Sequence, residues 1–211
     1  LIASSEAVRD AASAYRGTPT VVWLWGCGKK PAMETLGSRF GLRGHTISAV
    51  DLVHGLGRAA GLTPLVVPGA TGYIDTNYEG KAEALLRALP DANFIFLHVE
   101  SPDESGHEGN LEHKLKAIED FDRKIVGPVM DGISSYPDHT VLVMPDHPTP
   151  VSIRTHSSDP VPFALYASAG WNGSPYEGMS STAFSEKDAA STGLFVAEGH
   201  RLIELMLYKK L

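Results

Sequence analysis

One cysteine, Cys27, is all that 211 residues contain. A lone thiol can neither close an internal disulfide nor build a zinc finger, which favours a reducing, cytoplasmic setting. Long apolar runs are also missing. The longest, Val21-Val22-Trp23-Leu24-Trp25 and Phe94-Ile95-Phe96-Leu97, fall far short of the roughly 20 residues of a membrane-spanning helix, so no membrane partner is expected. Positive charge is scarce too: 18 Lys and Arg stand against 25 Asp and Glu, a net charge of -7. That sign is wrong for the basic footprint of a nucleic-acid binder and leaves a small molecule as the expected partner. The opening Leu1-Ile2-Ala3 carries neither the basic flank of a signal peptide nor an initiator Met, and the chain reads as part of a longer protein.

What is present is an alternation of two periods. Short runs that are apolar on both faces, at 20–25, 45–50, 63–67, 93–99, 140–144 and 161–166, read as buried strands. Between them, helical spacing recurs at 3–15, 51–60, 78–89, 110–133 and 186–207. In the long helix, Leu111, Leu115, Ile118, Phe121, Ile125 and Val129 form one stripe, with Glu112, Lys116, Glu119 and Lys124 largely off it. The expectation is an α/β, three-layer fold, a mainly parallel sheet flanked by helices, with ligands beyond the carboxyl ends of the strands. Residues 170–186, rich in Gly, Ser and Pro, read as a long surface loop.

The chemistry-bearing side chains sit just after strands. Asp103 and His107 follow 93–99 at a spacing of four; on a helical turn both face one way and can share a metal. Asp146 and His147 follow 140–144, stiffened by Pro145 and Pro148, which bias the backbone toward an extended form. His156 precedes the next strand. Each alone is weak evidence, since a loop Asp or His is usually solvated. Together they point to a divalent metal centre, and an oxygen and imidazole donor set without thiolate suits zinc or manganese.

The runs Pro68-Gly69-Ala70-Thr71-Gly72-Tyr73-Ile74-Asp75-Thr76-Asn77-Tyr78, Pro102-Asp103-Glu104-Ser105-Gly106-His107-Glu108-Gly109 and Asp146-His147-Pro148-Thr149-Pro150, followed by His156-Ser157-Ser158-Asp159-Pro160-Val161-Pro162, resemble the archaeal-type, cofactor-independent phosphoglycerate mutases of the alkaline phosphatase superfamily. The likeness runs in order from about Trp23 to Tyr166. It implies an alkaline-phosphatase-like domain and a glycolytic isomerase that interconverts 3-phosphoglycerate and 2-phosphoglycerate through a phosphoserine, with two divalent metal ions.

By position the resemblance makes Asp103, His107 and His156 the ligands of one metal, and Asp146 and His147 part of the shell of the other. The family's N-terminal Asp and serine nucleophile have no counterpart here, so no catalytic residue is assigned. Residues 1–211 are expected to be the C-terminal part of the metal-binding domain, truncated on its N-terminal side and without the inserted domain. One metal site would be nearly complete, the chain alone would be inactive, and the truncated sheet edge could drive self-association. The same likeness puts a substrate-phosphate contact at His54, where the family more often has Lys or Arg, with Arg58 one turn on able to compensate. Another phosphomonoesterase or phosphomutase of the superfamily, or a stand-alone metal-binding module, fits the same ligands. Cys27 reads as incidental, because the Walker pattern is absent. Lys29 and Lys30 are candidate phosphate attractors. His45, His98, His113, His139 and His200, with no motif around them, default to surface or core.

Overall fold

The computed structural model describes residues 28–29 and 31–210. The expected helix at 3–15, the strand at 20–25 and Cys27 lie outside the described residues. The fold described below is that of the unit Glu34–Leu211.

A short helix, α1 (Leu36–Phe40), opens it, capped by Thr35, whose hydroxyl accepts from the Ser38 amide at 3.1 Å. Strand β1 (Gly44–Ile47) follows, then α2 (Asp51–Ala59), which runs back along the sheet into β2 (Thr63–Leu65). Gly57 lets α2 lie close on β1: a Cβ there would stand 2.3 Å from the Thr46 methyl. Helix α3 (Tyr78–Ala88) is capped by Asn77, whose Oδ1 accepts from the Gly80 amide at 2.8 Å. It leads to β3 (Phe94–Leu97). The three strands form a parallel sheet in the order β2-β1-β3, with Ile47 opposite both Leu65 and Leu97.

Ile47, fully buried, packs with Val67 and Ala84 between this sheet and α3. On the other side of α3, Tyr78 and Ala82 meet Ile125, Val129 and Ile133. These last three come from a nearly continuous helical segment: α5 (Leu111–Phe121), a wide turn at Asp122–Val126, and α6 (Gly127–Ile133). It is preceded by α4 (Ser101–Glu108).

The stripe expected in that segment is only half right. Ile125 and Val129 are buried, but Leu111, Leu115 and Ile118 are 59%, 54% and 49% exposed, while Ala117 and Asp120 take the inner face. The inner row is spaced every fourth residue from Ala117 through Ile125 to Ile133. An ideal helix lets such a row drift around its axis, and the wide turn holds it in line.

Strand β4 (Thr140–Val143) pairs antiparallel with β5 (Ala164–Ala167), Thr140 opposite Ala167, in a separate two-stranded sheet. The expectation of one mainly parallel sheet is corrected accordingly. Among the described residues the architecture is α/β, with a small parallel sheet flanked by helices and an antiparallel pair beside it. The helix expected over 186–207 also divides. Helix α7 (Glu186–Ser191) stops before Gly193, whose φ of 73° is left-handed, and a separate helix, α8 (Leu202–Tyr208), buries Leu202 and Leu205. No helix among the described residues is long and apolar enough to cross a membrane.

Candidate metal centre

Strand β3 delivers the chain to α4 with Pro102 in the first turn, where its missing N–H costs nothing. Four residues apart on α4, Asp103 and His107 face the same way, His107 Nε2 lying 3.3 Å from Asp103 Oδ2. The turn after β4 brings in Asp146 and His147, and the segment beyond it brings His156. His156 Nε2 is 3.1 Å from His107 Nε2 and 3.3 Å from Asp103 Oδ1. The His147 ring stacks on that of His156, centroids 3.8 Å apart, and its Nδ1 is 4.0 Å from Asp103 Oδ1. Asp103 is thus a hub among three imidazoles. Asp146 joins through His147 alone, with Oδ2 3.4 Å from Nε2, and is 70% exposed.

The tautomer of His107 follows from its surroundings. Its Nδ1 is 3.0 Å from the Arg154 carbonyl oxygen, which can only accept, so the ring proton sits there and Nε2 presents a lone pair to the cluster. Arg154 is itself a non-glycine residue at φ 54°, a strained conformation held where its carbonyl orients a functional ring. His107 Nε2 and His156 Nε2 are 3.1 Å apart and stand 3.3 Å from the two different oxygens of Asp103, Oδ2 and Oδ1 respectively, while Asp103, His147 and His156 offer donor atoms within 4.8 Å of one another. Tetrahedral donors at the usual bond length of about 2.0 to 2.1 Å stand about 3.3 to 3.4 Å from one another, so the spacing fits a small divalent cation. The donor set of carboxylate and imidazole suits zinc or manganese.

Several residues that take part were not singled out from the sequence. Thr149, 3% exposed, donates its hydroxyl to Asp103 Oδ1 in a short hydrogen bond and lies 3.3 Å from His147 Nδ1. His98, expected to default to surface or core, bonds through Nδ1 to Ser48 Oγ at 3.1 Å and has Nε2 3.3 Å from Glu100. Burial holds its pKa below the usual histidine value. Glu100 is pushed up, first by burial and then by Asp103 and Glu104, and the carboxylates of these three lie within 4.8 Å of one another. Beneath them Lys81 is fully buried, its ammonium 3.4 Å from the His98 carbonyl, and burial lowers its pKa to about 8. The spacing of His98 and Glu100, two apart at a strand end, was the one available signal for this group.

His54 lies in the opening turn of α2, at the carboxyl end of β1, and Arg58 one turn further on. Both ring nitrogens of His54 are engaged, Nε2 with the Ser48 carbonyl at 2.9 Å and Nδ1 with Thr46 Oγ1 at 3.3 Å. Arg58 is exposed near the end of α2, five residues before β2, and so on the amino-end side of the sheet. Lys29 is exposed, and Lys30 is outside the described residues. A cavity of about 1220 Å³ opens beside Asp146 and His147, walled in part by Trp171 and Phe184 of the long loop.

A family model described as the Metalloenzyme superfamily matches residues 12–207. A probable 2,3-bisphosphoglycerate-independent phosphoglycerate mutase of Geobacter sulfurreducens is 53% identical over 186 residues, which are 88% of this chain and 45% of that protein. The 2,3-bisphosphoglycerate-independent phosphoglycerate mutase 2 of Methanothermobacter thermautotrophicus is 45% identical over 188 residues, 89% of this chain and 45% of that one. Among solved structures, a protein from Pyrococcus horikoshii superposes with a TM-score of 0.74 at 30% identity, covering 85% of this chain and 52% of that one. A cofactor-independent phosphoglycerate mutase from Thermoplasma acidophilum shares the fold, with a TM-score of 0.58 at 21% identity over 97% of this chain and 47% of that one. The chain spans about half the length of the curated relatives it matches, corresponding roughly to their C-terminal 45%.

Proposed function

Because the chain belongs to the Metalloenzyme superfamily and is a homologue of 2,3-bisphosphoglycerate-independent phosphoglycerate mutases, we propose that it is the metal-holding part of an enzyme that interconverts 3-phosphoglycerate and 2-phosphoglycerate. The observation that carries this reading is the convergence of His107, His147 and His156 on the Asp103 carboxylate, with the His107 and His156 Nε2 atoms each 3.3 Å from one of its oxygens. Asp103, His107 and His156 would hold one divalent ion, manganese or zinc, and Asp146 and His147 would contribute to a second. Such ions would supply charge neutralisation at a phosphate and a lowered pKa at an attacking hydroxyl.

The chain's own residues prepare that site. Arg154 holds the His107 proton on Nδ1 and leaves Nε2 free to ligate. Thr149 fixes the Asp103 carboxylate. On this reading these residues bind and orient the metal and, through it, the phosphate.

Elemental analysis and titration with manganese and zinc, on the chain and on His107→Ala, test the reading. One tight equivalent is expected in the first and is lost in the second. With manganese loaded, phosphorus relaxation of 3-phosphoglycerate and 2-phosphoglycerate is expected to quicken, and not with His107→Ala. Absence of metal binding to the unaltered chain, or equal binding by the variant, refutes it.

A further inference from the structure

Two chain segments far apart in sequence make the centre: α4 with Asp103 and His107, and the turn at 144–150 with Asp146, His147 and Thr149. Asp103 is useful as a hub only if that turn is held at one height against α4. The backbones touch closely at Gly106, where a Cβ would stand 2.4 Å from the Thr149 carbonyl oxygen and 2.9 Å from the Lys114 ammonium. A carbonyl facing a helix flank needs a donor, and Lys114 supplies one. From the first turn of α5, its Nζ donates to the Thr149 carbonyl at 2.7 Å and to the Pro102 carbonyl at 3.1 Å. One ammonium therefore binds both segments, one residue before Asp103 on one side and at Thr149 on the other. The Thr149 hydroxyl then reaches Asp103 Oδ1, so the position of the backbone sets the position of the carboxylate.

We propose that Lys114 is a positioning residue of the metal centre: its ammonium clamps the 144–150 turn to α4, and through Thr149 it fixes Asp103 between the three imidazoles. The proposal rests on the metal reading above. Burial that lowers the Lys114 pKa, with Asp103 acting the other way, agrees with an ammonium drawn out of water to reach two carbonyls. Groups that orient metal ligands typically govern affinity by about 10- to 100-fold.

The test compares the full chain with Lys114→Met, Lys114→Gln and Lys114→Arg by manganese and zinc titration, and by amide hydrogen exchange without metal. For Lys114→Met the expected result is metal binding weakened about 10- to 100-fold. Exchange should be faster over 101–108 and 146–157, and unchanged over 78–88. Lys114→Gln, which keeps one donor group, should be intermediate, and Lys114→Arg near the unaltered chain; these two decide the matter if Lys114→Met does not fold. Binding within twofold of the unaltered chain, whatever the exchange, overturns the proposal. If the unaltered chain binds neither ion, the metal reading fails on its own account. Exchange then decides the clamp: faster exchange supports it, and unchanged protection over 101–108 and 146–157 overturns it.

Discussion

Replacing Lys81 by Met removes a charge that the fold buries at a cost. Lys81 is fully buried, and its ammonium finds only the His98 carbonyl at 3.4 Å, with Glu100 nearby to favour the charged form. Burial dominates and lowers its pKa from 10.5 to about 8. At about 1.4 kcal/mol per pKa unit, the charged form is disfavoured in the folded state by about 3 kcal/mol.

The sign follows from proton counting. Between pH 8 and 10.5 the unfolded chain binds the proton more tightly, so the unaltered chain gains stability as pH rises through that window, by up to about 1.4 kcal/mol per pH unit. Lys81→Met has no such term. Urea denaturation at neutral pH should therefore find the variant more stable by about 1 to 3 kcal/mol, the lower part of the range allowing for the lost hydrogen bond. By pH 9.5 the gap should narrow by about 2 kcal/mol. A difference that is the same at both pH values would falsify the account of Lys81 as a buried charge, as would a variant less stable at both.

Asp120, 2% exposed, accepts from Lys116 at 2.7 Å and Arg123 at 2.8 Å, which hold its carboxyl below the usual range against the opposing effect of burial. Because the cations are half in water, Asp120→Asn should cost about 1 to 2 kcal/mol at neutral pH. Its folded pKa is lowered, so the stabilisation is complete above the unfolded carboxylate pKa and is lost as pH falls through the folded one. Denaturation curves at pH 7 and in acid should show the gap closing; coincident curves at pH 7 rule the network out as a stabiliser. Tyr78→Phe removes the hydroxyl that meets Ser101 Oγ at 2.5 Å at the start of α4, in a residue 1% exposed. A loss of about 1 to 2 kcal/mol is expected in the same assay, and no loss means that Ser101 finds another partner.

The five candidate ligands were legible because they fall in the segments that follow β3 and β4 and precede β5, and strand ends are where an α/β fold gathers its polar groups. Asp103 and His107 were legible as a pair because a spacing of four has one meaning on a helix. The direction of β5 was not. The 20 residues between β4 and β5 contain Pro145, Pro148, Pro150, Pro160 and Pro162, which deny the link the crossover helix of a parallel pair, and that signal was available but unweighed. Thr149 and Lys114 were beyond reach, since a hydroxyl in a turn and a lysine on a helix carry no pattern that names their distant partners. Leu111, Leu115 and Ile118 fit the helical period and yet face outward, because period locates a stripe and says nothing of what lies opposite it.

Among the described residues, β3 and β4 belong to different sheets, yet the segments that follow them meet at Asp103, His107 and His147. An ion held there would fasten together two sheets that share no strand-to-strand hydrogen bonds. Occupancy then becomes a mechanical property of the domain as well as a chemical one. At a free ion concentration a hundredfold above the dissociation constant, mass action would add about 2.7 kcal/mol to the folded state, so a melting curve would register occupancy of the centre.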